Sequence, residues 1–220
     1  MAHDPSELRD LLTRAGRGDE QALAALFGRY RDRLREMVRL RLDRRLQGRL
    51  DASDVLQEAY LDFARRLPEF LNGPTVPFFL WLRGLAGQRL IDLHRRHLGA
   101  QMRDAGQEVS LYRGATPAAS SASLAEQLLG RLTSASQAAI RAETQLRVQE
   151  ALNGMDPLDR EILALRHFEM LSNGETAQVL GIRKSAASNR YVRALKRLKE
   201  LLGGIPGVLT LLLVLAESKS

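Results

Sequence analysis

The chain has no cysteine, which excludes disulfides, thiolate metal sites and thiol redox switching together. Aromatic residues make up only 5%, so a core must come mainly from aliphatic side chains, as in helix-on-helix packing. Seven prolines among 220 residues leave long stretches free to be helical, because proline lacks the amide N–H and clashes with the turn before it. The N-terminus, MAHDPSELRD, lacks the apolar core of a signal peptide. No apolar run reaches the ~20 residues that a membrane-spanning helix needs. These absences predict a cytoplasmic protein without membrane insertion. No glycine-rich phosphate loop and no Ser/His/Asp arrangement can be read, so neither catalytic residues nor a cofactor are expected. His94 and His97 lie three apart but lack a third ligand, and so do not read as a metal site. Asp51, Asp54, Glu58 and Asp62 recur near helical pitch without a partner base, which argues against a nuclease cluster.

What is present is positive charge and helical period. Thirty-three Lys and Arg against 26 Asp and Glu give a formal charge of +7, with a sequence pI near 10.3, a balance suited to a polyanionic partner. Nothing alternates with a period of two for long enough to make a sheet, while the 3.6-residue period dominates, so the predicted fold class is all-α. The first helix places Leu8, Leu11, Leu12 and Ala15 on one face and stops at Gly16-Arg17-Gly18. Asp19 then caps a second helix with the stripe Leu23, Leu26, Phe27, Tyr30, Leu34, Met37 and Val38, expected to run to Gly48. A third, capped by Asp51 or Ser53, buries Val55, Leu56, Ala59, Tyr60, Phe63 and Leu67, with Pro68 and Asn72-Gly73-Pro74 expected to break it. A fourth, expected to start near Thr75 with Pro77 in its first turn, has Phe79, Leu82, Ala86, Leu90 and Leu93 on its inner face. Trp81, Gln88, Asp92 and Arg95 occupy the other side.

Four such helices predict one small domain over residues 6–98. Residues 99–134 form a predicted linker, partly disordered, in which TPAASSAS (116–123) is flexible in composition. Ser123 with Glu126 and Ser134 with Gln137 have capping-box spacing, so a short helix and a longer one are expected there. A second helical domain is predicted over 135–202. Asp156-Pro157-Leu158-Asp159 is a strong helix start, with Leu158, Ile162 and Leu165 facing inward. Ser172 with Glu175 opens another helix, Gly181 makes a tight turn, and a basic helix runs from Lys184 to Leu202.

Residues 172–199 have the layout of a helix-turn-helix: small Ala177 at the crossing, Leu180 and Ile182 around Gly181, and Tyr191, Leu195, Leu198 and Leu202 inward. No acidic residue lies between Arg183 and Lys199. Entering a major groove N-terminus first, such a helix would bring Lys184, Ser185, Ser188, Asn189, Arg190 and Arg193 to bases and phosphates. The plainer alternative is a solvated basic helix.

The segment DASDVLQEAYLDFARRLPEF (51–70) resembles region 2.2 of the sigma-70 family, in particular its small extracytoplasmic-function group. FFLWLRGLAGQRLIDLHRR (78–96) resembles that family's promoter-melting helix, and residues 152–202 resemble its region 4. The Ala/Ser linker and RKSAASNRYVRALKRLK (183–199) are similar to members from planctomycete-type bacteria. The resemblance implies a region 2-like domain for core polymerase and the minus-ten element, and a region 4-like helix-turn-helix for the minus-35 element. It implies a factor that brings RNA polymerase to promoters and helps melt them, with an anti-sigma factor as a further partner.

On the third helix Asp54, Glu58, Leu61, Asp62 and Arg65 form a mostly acidic stripe, which charge alone leaves open between a solvated face and a binding one. The resemblance instead implies that Asp54, Gln57, Glu58 and Leu61 grip the coiled coil of the polymerase's largest subunit, where charge gives orientation more than affinity. It also implies that Phe70 and Gln88 border a pocket for a flipped promoter base, with Trp81 and Arg95 facing the same way; Phe70 and Trp81 could equally be core. Gln88 stands where the family commonly has asparagine, and the loop carries an extra proline, so the minus-ten preference stays open. A stand-alone helix-turn-helix regulator would explain residues 156–202 but not the stripe or the 78–96 helix. Finally, Ile205–Ala216 (IPGVLTLLLVLA), in the tail 203–220, is too apolar to stay uncovered and is expected to fold back or to dock a partner.

Overall fold

The computed structural model describes residues 5–98, 116–130 and 138–203. These residues contain helices and no strand, as the sequence period requires. The chain separates into two compact units, Met1–Pro117 and Ala118–Ser220.

The first unit holds α1 (Pro5–Gly16), α2 (Glu20–Arg41), α3 (Ala52–Asn72) and α4 (Phe78–Leu98). Asp19 caps α2 through the Ala22 N–H at 3.0 Å. The helix stops at Arg41, short of the expected Gly48, because Leu42 turns extended and residues 43–49 fold into tight turns. Asp51 caps α3 and forms a reciprocal box with Asp54. Pro68 does not break α3. The helix runs through it to Asn72, forgoing one backbone bond while Leu67 and Phe70 on either side stay buried. The helix α4 starts at Phe78 instead of Thr75: the Pro77 carbonyl accepts the first helical bond from Trp81, so Pro77 precedes the helix.

Leu26, Leu34, Met37, Val38, Val55, Phe63, Leu82, Ala86 and Leu90 form the core of this unit, each fully enclosed. The few aromatics are gathered rather than spread. Phe63 packs against Phe27, Phe78 and Trp81, and Tyr30 against Phe78 and Phe79. The Arg33 guanidinium lies 3.6 Å from the centre of the Phe79 ring, a geometry that attracts through the ring's negative face. Gly16 lets α1 end against α3: a Cβ there would fall 2.6 Å from Leu71 Cδ1.

The second unit holds α5 (Ser121–Gly130), α6 (Ala138–Asn153), α7 (Pro157–Leu163), a π-helical turn (Ala164–Phe168), α8 (Asn173–Leu180) and α9 (Lys184–Leu202). Thus α5, inside the stretch expected to be linker, is a packed helix that buries Leu124, Ala125, Leu128 and Leu129. Its first turn is capped by Ser120, whose Oγ accepts the Ser123 N–H at 3.0 Å, and not by Ser123. Ser134, Gln137, residues 99–115 and the apolar tail lie outside the described residues. At α7, Asp156 accepts the Leu158 and Asp159 N–H groups with Pro157 in the first turn. The continuous helix expected beyond it widens into the π turn, which buries Leu165, His167 and Phe168.

Candidate nucleic-acid interface

In the second unit, local chemistry fixes α8 and α9 as a helix-turn-helix. Ser172 and Glu175 form the reciprocal capping box that starts α8. Gly181 ends it at φ 63°, ψ 34°, a left-handed conformation that costs a residue with a Cβ about 1–2 kcal/mol. The Asn173 side-chain amide donates to the Lys184 carbonyl at 2.9 Å, tying the starts of the two helices together. Ala177, Leu180, Ala187, Tyr191, Ala194, Leu198 and Leu202 are buried; Ile182 and Leu195 are half-buried. The Tyr191 hydroxyl meets His167 Nε2 at 2.7 Å, and burial pushes its ionisation above the ordinary tyrosine value.

This packing leaves the opposite face of α9 outward. Lys184, Ser185, Ser188, Asn189 and Arg193 are all exposed, and no carboxylate occurs on α9 before Glu200. Arg190 differs from them. Its guanidinium donates to Asp159 at 2.8 Å and to Asp156 at 3.2 Å, while Arg193 lies 3.8 Å from Asp159. The start of α7 thus holds one flank of the basic helix through Asp159, whose side chain is 9% exposed. Sequence reasoning missed this clamp because Asp159 read only as a helix-start residue.

In the first unit the acidic stripe of α3 turns out to be largely engaged within the protein. Asp54 is spent on the capping box, accepting the Asp51 N–H at 2.8 Å. Glu58 pairs with Arg96 at 3.3 Å. Asp62, expected on the surface, is buried between α3 and α4, where it binds Arg89 and Arg65. The Arg89 guanidinium draws the Asp62 carboxyl below its ordinary value. Asp54 and Arg65 stay exposed, and the uncharged outward groups beside them are Gln57 and Leu61, the latter 66% exposed. Gln57 and Leu61 edge an open groove of about 430 Å³ lined also by Phe27, Arg31, Ser53, Leu56 and Tyr60. A leucine beside such a groove offers apolar area to a partner.

On α4, Trp81, Gln88 and Arg95 follow at intervals of seven and share one side; Trp81 is half-buried and the other two exposed. Gln88 donates to Asp92 at 3.0 Å. Phe70 does not border an open pocket. It is covered, with its ring 4.7 Å from Trp81 and 5.4 Å from Phe78, and so backs the indole. Inside the unit, His94 accepts the Asp43 N–H at 3.3 Å, and burial lowers its pKa below 6.5.

Comparison with known proteins agrees with this geometry. The sequence model of the family described as "Sigma-70, region 4" matches residues 145–198, from α6 into α9. The ECF RNA polymerase sigma factor SigD of Mycobacterium tuberculosis is 29% identical over 200 residues, covering 91% of this chain and 86% of that protein. The protein of the same name in Mycobacterium bovis gives the same figures. A solved structure of CnrH in complex with the cytosolic domain of CnrY superposes with a TM-score of 0.53 at 21% identity. The match covers 90% of this chain and 99% of that one, and it shows a shared fold.

Proposed function

The chain belongs to the sigma-70 family, in its extracytoplasmic-function group, and from that membership we propose a division of labour between its two units. As a sigma factor it directs RNA polymerase to promoters and serves in DNA-templated transcription initiation. The second unit reads the upstream promoter element by laying α9 in the major groove, with Ser185, Ser188 and Asn189 toward base edges and Lys184 and Arg193 toward phosphates or guanines. The observation that carries this reading is the acid-free outward face of α9, fixed in place by the Ser172 box, the Gly181 turn and the buried Tyr191 side.

The first unit holds the largest-subunit coiled coil of core polymerase through Gln57, Leu61 and the groove beside them, with Asp54 and Glu58 orienting the approach. Its α4 face takes the minus-ten element: the Trp81 indole, backed by Phe70, offers a stacking surface for an unpaired base, and Gln88 and Arg95 lie along the same side. Stacking of this kind is worth about 1–3 kcal/mol per base, which offsets the cost of unstacking. The protein supplies binding energy and no bond chemistry. The complex of CnrH with CnrY supports the expectation of a further protein partner, an anti-sigma factor.

A mobility-shift titration of a promoter fragment, with and without core polymerase, tests the proposal. Tight, sequence-selective binding is expected only when core is present. Equally tight binding by the chain alone would indicate a stand-alone helix-turn-helix regulator.

A further inference from the structure

The outward face of α9 contains Ser185, Ser188, Asn189, Val192, Lys196 and Lys199, at offsets of 3, 4, 7, 11 and 14 from the first. Five of the six are polar or basic. The sixth, Val192, is 62% exposed in the middle of that face. Valine is a weak helix former, disfavoured on a surface by the restricted rotation of its branched side chain, and here most of its surface gains nothing from burial within the protein. Of the two arginines beside it, Arg190 is held to the flank by Asp159 and Asp156 at 2.8 and 3.2 Å, and Arg193 lies toward the same flank, 3.8 Å from Asp159. The centre of the face is therefore left to short polar side chains and one apolar one. Among base edges in the major groove, the apolar feature is the 5-methyl group of thymine.

We propose that Val192 is a sequence-reading residue that packs on a thymine methyl in the upstream promoter element, beside a base edge read by Ser188 or Asn189. This rests on the reading of α9 as the major-groove helix. It explains an apolar side chain at the centre of a basic face, where a lysine or arginine would reach a phosphate or a guanine but could not pack on a thymine methyl.

The test uses holoenzyme assembled from core polymerase and the full chain, bound to a duplex promoter on which it initiates. Each thymine of the upstream element, on either strand, is replaced in turn by deoxyuridine, which removes the methyl and preserves pairing. One position, or two adjacent ones, should weaken wild-type binding about three- to fivefold, the worth of one buried methyl. Val192→Ala should bind the thymine promoter about as weakly and no longer distinguish thymine from uracil, with its melting unchanged. Asn189→Ala, measured in parallel, should lose affinity for both forms. If uracil is silent everywhere, or Val192→Ala still discriminates, while Asn189→Ala weakens binding, the Val192 assignment is overturned and the groove reading stands. If uracil is silent and neither variant alters binding, the groove reading falls with it.

Discussion

Replacing Asp159 by alanine removes the less exposed of the two carboxylates that hold Arg190. The pair lies between two regimes: the Asp159 side chain is 9% exposed and that of Arg190 26%. Exposed ion pairs are worth about 0.2–1 kcal/mol, whereas leaving one partner of a fully buried pair alone costs about 3–5 kcal/mol. At 2.8 Å the contact is a charge-assisted hydrogen bond, and Asp156 stays at 3.2 Å to take up part of the lost interaction. A loss of about 1.5–3 kcal/mol follows. For a domain of this size, each kcal/mol moves the melting temperature by about 4–8 °C, so the transition of the second unit should fall by roughly 6–24 °C. Asp159 also sits in the first turn of α7, where a negative charge favours the helix by about 0.3–1 kcal/mol. Calorimetry of wild type, Asp159→Ala, Arg190→Ala and the double variant separates the two effects, because the helix-end contribution cancels in the cycle. A coupling of about 1–2 kcal/mol is expected. A coupling below about 0.5 kcal/mol would refute the clamp and return Arg190 to the outward face of α9.

Three further outcomes follow from other parts of the molecule. Leu61→Asp should leave melting unchanged, since the side chain is 66% exposed, yet weaken core-polymerase binding about tenfold or more in a competition titration; undiminished binding would remove Leu61 from the interface. His94 is kept neutral by burial, its pKa below 6.5, so below that pH the unfolded chain binds more protons than the fold. The stability tied to His94 is then present in full above pH 6.5 and declines as pH falls toward the folded value. Denaturant titrations across this range should show that slope in wild type and lose it in His94→Gln. Gly181→Ala, with nothing near the new Cβ, should destabilise the second unit by about 1–2 kcal/mol through backbone strain alone, and a neutral result would mean that the turn can adopt another conformation.

The elements most legible in the sequence are those fixed by local chemistry. Asp19, Asp51, Asp156 and the Ser172–Glu175 box each start a helix as their side chains dictate, and the apolar stripes of α2, α3, α4 and α9 point inward at helical period. Positions decided by tertiary contact were not legible. Pro68 reads as a breaker, but the burial of Leu67 and Phe70 keeps α3 intact through it. Asp62 reads as part of a solvated stripe, and only the approach of α4 supplies the Arg89 that lets it be buried. Arg190 reads as a DNA contact because its partner Asp159 lies 31 positions away in sequence. Phe70 reads as a pocket wall, and the fold places it behind Trp81. Val192 has no sequence signal of its own on the acid-free helix, and only the packing of α9 shows that it faces outward with the serines and Asn189.

Run-off transcription with core polymerase and genomic fragments tests most directly the claim that this chain gives polymerase its promoter choice through two separate surfaces. Discrete transcripts should form only when the chain is added. Asn189→Ala should lower them on promoters that depend on the upstream element, and Trp81→Ala should fail on duplex templates yet recover on templates opened beforehand around the minus-ten position. The contrary result would be no added transcripts from any fragment while the chain alone binds the same duplexes selectively.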